Sequence, residues 1–496
     1  MRLIALVETQ GATCKRTTRS RLLLASSILL TASAMAQAPT SGGLSGSDRS
    51  RPVTPAQGPS TESLSGSGRV EKPFPGVIHL TILDAINRAL RNNLALLLSQ
   101  QQAESARAQR RRNLSALLPN VSGNASESVN QINLQAFGIP LPPGLTSPVV
   151  GPFGLFDAHA SMSETFLDLT AMNRVRSAAE NERAAAFTVQ DARELVVLAA
   201  GNQYLRALAD AARLDTAQAQ LATAQAIFQQ AEDMKKAGVN AGIDVLRAQV
   251  QMQAQQQRVL AAQNEFARQK MTLARAIGLP VSQAFELADT VPYAPLPELN
   301  VEEALARAYQ RRPEYLAAQA RVRSAELEVE AAKGEAMPVM EIDGQYGILG
   351  QTPGNSERVF NLAAGLRIPL FQGGKVKADV AEAETSLRQD QMQLEDLRGL
   401  VEYEVRTSWL DVKTSNEQVG VAQQSIVLAG EQLKEAQDRY AAGVSGSLDV
   451  VQAQEAVANA NETYIQSLYL NNVAKLSLAH ALGVAEQQTK TFLGGK

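Results

Sequence analysis

Cysteine is almost missing from this chain: Cys14 is the only one. It lies in an N-terminal segment that reads as an export signal, with a basic cluster (Lys15, Arg16, Arg19, Arg21), an apolar run from Leu22 to Leu30 and the small-residue site Ala34-Met35-Ala36. The processed protein is therefore expected to have no disulfide and no lipid anchor on cysteine. Aromatic residues are scarce at 4 %, which argues against a thick globular core and for long helices packed through small side chains. Basic charge is not in excess either. The formal net charge is −3, and removing residues 1–36 takes away five basic groups and one acidic group to leave −7. No basic face advertises nucleic acid. Beyond the signal the sequence has no apolar run of about 18 residues or more, so no transmembrane helix is expected. An exported chain without one is soluble in the periplasm or inserted as a β-barrel.

The signs of catalysis are missing too. His79, His159 and His480 are far apart in sequence and none has metal-ligand spacing. There is no phosphate-binding glycine loop and no nucleophile motif. The many carboxylates fall on helical stretches, where a solvated face is the expectation. The chain is read as a non-enzyme, without cofactor and without metal.

What the sequence does have is an internal repeat. Tyr204-Leu205 matches Trp409-Leu410, Ala237-Gly238-Val239 matches Ala442-Gly443-Val444, Asp244-Val245 matches Asp449-Val450, and Gly278 matches Gly483, all at an offset of 205. Upstream the offset is 219: Ala85 and Ala89 pair with Ala304 and Ala308, and Leu118-Pro119 with Met337-Pro338. The first copy thus holds extra residues, and the Pro/Gly-rich stretch Phe137 to Gly154 is longer than its counterpart Gly347 to Arg358. An insertion of this kind belongs to an exposed loop.

Each copy reads as helix, strand, loop, strand, very long helix, tight turn and helix. Repeat 1 covers residues 77–279, with strands at about 120–130 and 155–167, a long helix at 171–236 and a returning helix at 242–277. Repeat 2 covers 301–484, with strands at about 338–349 and 359–371, a long helix at 375–441 and a returning helix at 448–483. Residues 37–76, rich in Ser, Gly and Pro, read as a disordered leader. Residues 280–300 read as a linker and 485–496 as a tail. In the second copy Met340, Ile342, Tyr346, Phe360, Leu362, Leu366 and Ile368 alternate with polar or small residues, the pattern of a strand with one apolar face. The first copy alternates more weakly, and Val121 to Asn130 is mostly small and polar. Val412, Val419, Ile426, Leu433 and Tyr440 recur every seven residues, with Ala422, Ala429 and Ala436 beside them: a coiled-coil seam that allows close backbone approach. Four strands cannot close a barrel in lipid, whereas three chains supply twelve. Strands of this length can span a bilayer.

This layout resembles the TolC-type outer-membrane efflux protein family over about residues 77–484. The specific marks are the tandem repeat, Leu370-Phe371-Gln372-Gly373-Gly374 at a strand-to-helix junction, the corresponding Leu167-Asp168-Leu169, and the two Ala-Gly-Val turns before Asp-Val. The resemblance implies an α+β membrane protein: a trimer with a twelve-stranded β-barrel in the outer membrane, continuous with an α-helical barrel in the periplasm. It implies docking to a periplasmic adaptor and to an inner-membrane transporter of RND or ABC type. The implied function is the exit duct of an efflux or secretion pump, in contact with outer-membrane lipid through the apolar strand residues above. The turns Gly238-Val239 and Gly443-Val444 are then expected to meet the adaptor, and Asp244, Tyr440 and Asp449 to form a periplasmic gate in which Tyr440 bonds Asp244. Two departures weaken that gate: Ser445 stands where a basic latch residue is expected, and Gln452 where a second carboxylate is. The rival reading is a soluble periplasmic coiled coil, such as an adaptor or structural protein of a pump. That rival leaves the two pairs of alternating strands unexplained.

Overall fold

A computed structural model of the chain describes residues 64–138, 147–238, 241–291, 293–294 and 300–492. The export signal, the leader up to residue 63 and Val239 lie outside the described residues.

The chain opens with a short strand β1 (Ile78–Leu80) and helices α1 (Ile82–Asn92) and α2 (Leu94–Ser115). Strands β2 (Asn120–Asn133) and β3 (Val149–Leu167) follow. Next comes α3 (Leu169–Lys236), which returns as α4 (Gly242–Ile277). After a short strand β4 (Phe285–Leu287) the order repeats: α5 (Val301–Arg311), α6 (Pro313–Gly334), β5 (Val339–Thr352), β6 (Asn355–Arg367), α7 (Lys375–Ala441), α8 (Ser447–Ala481), and finally α9 (Ala485–Phe492). At ~1.5 Å per residue the 68 residues of α3 and the 67 of α7 each extend roughly 100 Å.

Where one helix is expected at the head of each repeat, the structure has two. Asn93 leaves helical geometry (φ −64°, ψ 134°), and its side chain accepts the Ala95 N–H to start α2. The equivalent Arg312 (φ −62°, ψ 116°) is followed by Pro313, which is favoured at a first helical position. The N-caps of the short helices also match: Thr81 closes a capping box with Asp84, and Asn300 accepts from the Glu302 N–H.

The return ends of the hairpins press on these breaks. Gly278 ends α4 with φ +79°, and an added Cβ there meets the Asn92 Cβ at 2.5 Å and the Arg69 carbonyl oxygen at 2.7 Å. Gly483, its repeat mate (φ +66°), faces the Arg311–Arg312 backbone less tightly, with an added Cβ 3.0 Å from the Arg312 Cα and 3.1 Å from the Arg311 carbonyl oxygen. Gly238 at the far turn has φ +75° and open space around it. Gly278→Ala is therefore expected to cost about 2–3 kcal/mol, adding overpacking to left-handed strain. Gly238→Ala is expected to cost only about 1 kcal/mol. Comparing melting midpoints of the purified variants checks this, and equal losses contradict it.

The leader expected to extend to residue 76 is structured from Leu64. Ser67 bridges to Asn93, the Glu71 N–H donates to the Gly278 carbonyl at 2.9 Å, and the Phe74 N–H donates to Gln283 Oε1 at 2.8 Å. The linker also carries structure, because β4 pairs in parallel with β1. Tyr204 joins this small sheet to α3: its hydroxyl donates to the Leu80 carbonyl and meets Asp289 Oδ2, each at 2.8 Å. The segment read as a tail includes α9, whose Phe492 is buried in the main core.

The four long strands form one antiparallel sheet in the order β2-β3-β5-β6, so β3 and β5 join the two repeats and β2 and β6 are its edges. The register gives it two unlike faces. One carries Val121, Ala125, Ala160, Met162, Met340, Ile342, Tyr346, Phe360, Leu362 and Leu366, matched across the strands. The other carries Ser122, Asn124, His159, Ser161, Asp343, Gln345, Glu357 and Asn361. Ile368, read as a member of the apolar set, lies beyond β6, which ends at Arg367. Pro369 has no N–H to extend the ladder. The expected loop Gly347 to Arg358 shrinks to the turn between Thr352 and Asn355, because those two residues still pair.

Candidate functional site: the helical tip and the buried charges

The turns of the two long hairpins lie at one end of the helices, the strands at the other. Gly443 (φ +73°) closes the α7 turn, its N–H donating to the Tyr440 carbonyl at 3.0 Å while Val444 N–H reaches Arg439 at 3.1 Å. Val444 is exposed. Tyr440, at the end of the heptad seam, is buried with Ile227, Ala231, Ala248, Ala436, Val450 and Ala453, so it ties both hairpins together by packing.

Asp244 sits in the first turn of α4, where a carboxylate is favoured by the helix dipole. Its Oδ1 accepts a 2.6 Å hydrogen bond from Ser447 Oγ, the first residue of α8, and lies 3.6 Å from Arg247 Nη1. Ser447 is itself buried. Asp244 therefore crosses between hairpins to Ser447, a residue that no sequence motif singles out; its offset of 205 from Gly242 is the one sign of it. Asp449 is exposed in the first turn of α8. The apolar character of this end is likewise absent from the sequence expectations. Ile243 and its repeat mate Leu448 are exposed, as is Leu246 one turn on from Ile243.

Farther along the helices from the tip the structure corrects a second expectation. Several helix carboxylates are not solvated. Asp191 and Glu194 on α3 are buried, and burial pushes each carboxyl up to about 7. For Glu194 the opposing influence is its hydrogen bonds from the Ala485 N–H (2.6 Å) and Glu486 N–H, which cap α9. Arg312 is also buried and pairs with Glu314 and Glu404. Burial, reinforced by Arg312, lowers the nearby His480 to about 4.

These shifts set a pH response. A carboxyl whose folded value is about 7 holds its proton more tightly folded than unfolded, so its contribution to stability is present at low pH and lost as pH rises through about 7. Asp191→Asn should remove that loss. Its melting midpoint is expected to match the parent's near pH 4 and to exceed it at pH 8, where the difference in stability is on the order of a few kcal/mol. Identical pH profiles for the two proteins contradict the assignment.

The fold is shared with solved outer-membrane channels. CusC superposes with a TM-score of 0.70 at 19 % identity, covering 88 % of this chain and 98 % of that one. The Campylobacter jejuni CmeC channel superposes with a TM-score of 0.71 at 17 % identity, covering 87 % and 93 %. The chain belongs to the outer membrane efflux protein family, whose model matches residues 85–279 and 304–484. Members of that family are outer-membrane channel proteins and not enzymes. Among its relatives, the outer membrane protein TolC of Vibrio cholerae is 22 % identical over 415 residues, 82 % of this chain and 91 % of that one. The pyoverdine export outer membrane protein OpmQ of Pseudomonas putida is 25 % identical over 292 residues. That match spans 56 % of this chain and 60 % of the relative.

Proposed function

We propose that this chain is the outer-membrane exit duct of a tripartite pump, conducting cargo passively from an inner-membrane transporter of RND or ABC type, through a periplasmic adaptor, to the exterior. The observation that carries this reading is the open four-stranded sheet, with one face apolar through its middle and charged only toward its ends (Glu127, Glu164, Arg358), a mostly polar face opposite, and β2 and β6 left as edges. Edges of that length are stable in lipid only when paired. A second and third copy complete twelve strands, the apolar face meets lipid, and the polar face lines water. The helices continue as a tunnel into the periplasm. Its narrow end carries the Asp244–Ser447 bond, Tyr440 and Asp449 as the gate, and the turns at Gly238, Val239, Gly443 and Val444 as the adaptor contact. The relatives' outer-membrane and export names support the placement.

Membrane fractionation with heated and unheated gels, followed by planar-bilayer recording, tests the reading. It requires a heat-sensitive trimer in the outer membrane that conducts ions. A monomer in the soluble periplasmic fraction overturns it. Within the same assay, Ser447→Ala and Asp244→Ala are expected to raise single-channel conductance by loosening the link between hairpins, with Asp244→Ala the larger because it frees Arg247 as well. Tyr440→Phe, which keeps the ring, tests whether the hydroxyl contributes beyond packing. Parental conductance in all three variants removes these residues from the gate.

A further inference from the structure

The end of the helices that meets the sheet holds an ionic network and, beside it, cations that the network does not use. Glu335, capping α6, accepts from Arg174 Nη2 at 3.0 Å and pairs with Lys375 at the start of α7, which also reaches Asp379 Oδ2 at 2.6 Å. Arg107 and Arg110 are both taken by Glu182. Arg111 and Arg176 are exposed, and neither has a carboxylate at ion-pair distance among the described residues; Arg176 has only a 3.4 Å bond to Asn173.

These two arginines share one level. Asn113 Nδ2 donates to the Arg174 carbonyl at 3.4 Å, which sets α2 beside α3. Arg111 and Arg176 each lie two residues from that bond, about 3 Å along their helices and on the side away from the sheet. Between them and the sheet, alongside the exposed Arg112 and the Arg174–Glu335 pair, several apolar side chains are exposed. Leu114 lies on the helical stripe of Arg111 and Leu169 on that of Arg176, Leu118 follows just beyond the end of α2, and all three are exposed. Leu167, which pairs with Met340 on the apolar sheet face, leads directly into Leu169. Leu370 and Phe371, at the equivalent junction of the second repeat, are almost fully exposed. From sheet to helix, exposed apolar side chains thus lead into a zone of charged groups in which Arg111 and Arg176 have no carboxylate partner among the described residues, an order that matches hydrocarbon followed by headgroup phosphate at a membrane surface.

We propose that Arg111 and Arg176 bind the phosphates of anionic phospholipid headgroups in the leaflet at the helical end of the sheet. A guanidinium matches a phosphate with two parallel hydrogen bonds, and a headgroup with net negative charge is favoured over a zwitterionic one by attraction to each unpaired cation. The inference rests on the outer-membrane reading.

The test is native mass spectrometry of the purified trimer equilibrated with equal phosphatidylglycerol and phosphatidylcholine. The parent should retain phosphatidylglycerol in preference. The preference should fall roughly fivefold for each of Arg111→Gln and Arg176→Gln, and further in the double variant. Arg107→Gln removes the same charge from a group already paired with Glu182, so it should leave the ratio unchanged. Equal retention of both lipids by the parent overturns the proposal, as does a double variant with parental preference. A chain that gives no trimer in the outer membrane defeats the duct reading instead. A trimer that conducts ions but shows no headgroup preference defeats this inference alone.

Discussion

Arginine in place of Leu362 is expected to remove the trimer from the outer membrane, whereas arginine at Asn361, one residue away, leaves it in place. Leu362 lies in the middle of β6, opposite Gly344, on the face that also carries Phe360, Tyr346 and Leu366. On the proposed reading that position is near the bilayer midplane, where arginine costs about 2–4 kcal/mol for each copy. A trimer carries three copies, enough to empty the assembled state. Asn361 opposes Gln345 on the polar face, where arginine stays hydrated. The heat-sensitive trimer band from outer-membrane fractions is expected to fall by tenfold or more for Leu362→Arg and to hold for Asn361→Arg. Equal behaviour of the two variants means that the faces are not lipid and water. Because the residues are neighbours on one strand, strand propensity and position along the chain are matched, and the comparison isolates the direction of the side chain.

This contrast is legible in the amino-acid sequence, because the long alternation in β6 announces two faces. The same reasoning fails where the elements are short. Strands β1 and β4 have three residues each, too few for a period, and only their pairing across about 200 positions makes them a sheet. The break at Asn93 carries a helix-capping residue but no glycine or proline, so it reads as ordinary helix interior; at Arg312 the proline that follows is the available signal. β2 is so polar and small that only its repeat mate marks it as a strand. At the tip, Asp244 is legible from the repeat, but its partner Ser447 is not, since a serine at a helix start has a local role whatever lies opposite. Buried charge is the largest omission. Asp191, Glu194 and Arg312 each look like one more residue on a solvated helix face, and only the packing of α3 against α6, α8 and α9 takes them out of water.

Arg312 gives the second large effect. Its side chain is 2 % exposed and faces Glu314 and Glu404, and it also lowers the neighbouring Asp191 carboxyl. Replacing it with methionine keeps most of the volume and removes the only cation paired with those two carboxylates among the described residues. Breaking a fully buried ion pair from one side costs about 3–5 kcal/mol; here Glu314 and Glu404 are half-buried and partly reached by water, so the cost is expected at or below the lower end of that range. The cost should depend on pH, and its sign follows from the groups left behind. Burial already raises Glu314, and burial with Glu314 as neighbour already raises Asp191 to about 7. Without Arg312 both rise further, so they can be neutral in the folded protein over a wider range, and the penalty grows as pH increases through and beyond about 7. Arg312→Met is therefore expected to lower the melting midpoint severely at pH 8 and much less near pH 5. His480 works in the opposite direction: its value, lowered to about 4 partly by Arg312, rises in the variant and relieves the cost of keeping it neutral in acid. Adding Glu404→Gln to Arg312→Met removes one uncompensated charge and should recover a large part of the loss at pH 8. A variant that is destabilised equally at both pH values, and is not rescued by Glu404→Gln, shows that Arg312 acts through its packing volume and not through its charge.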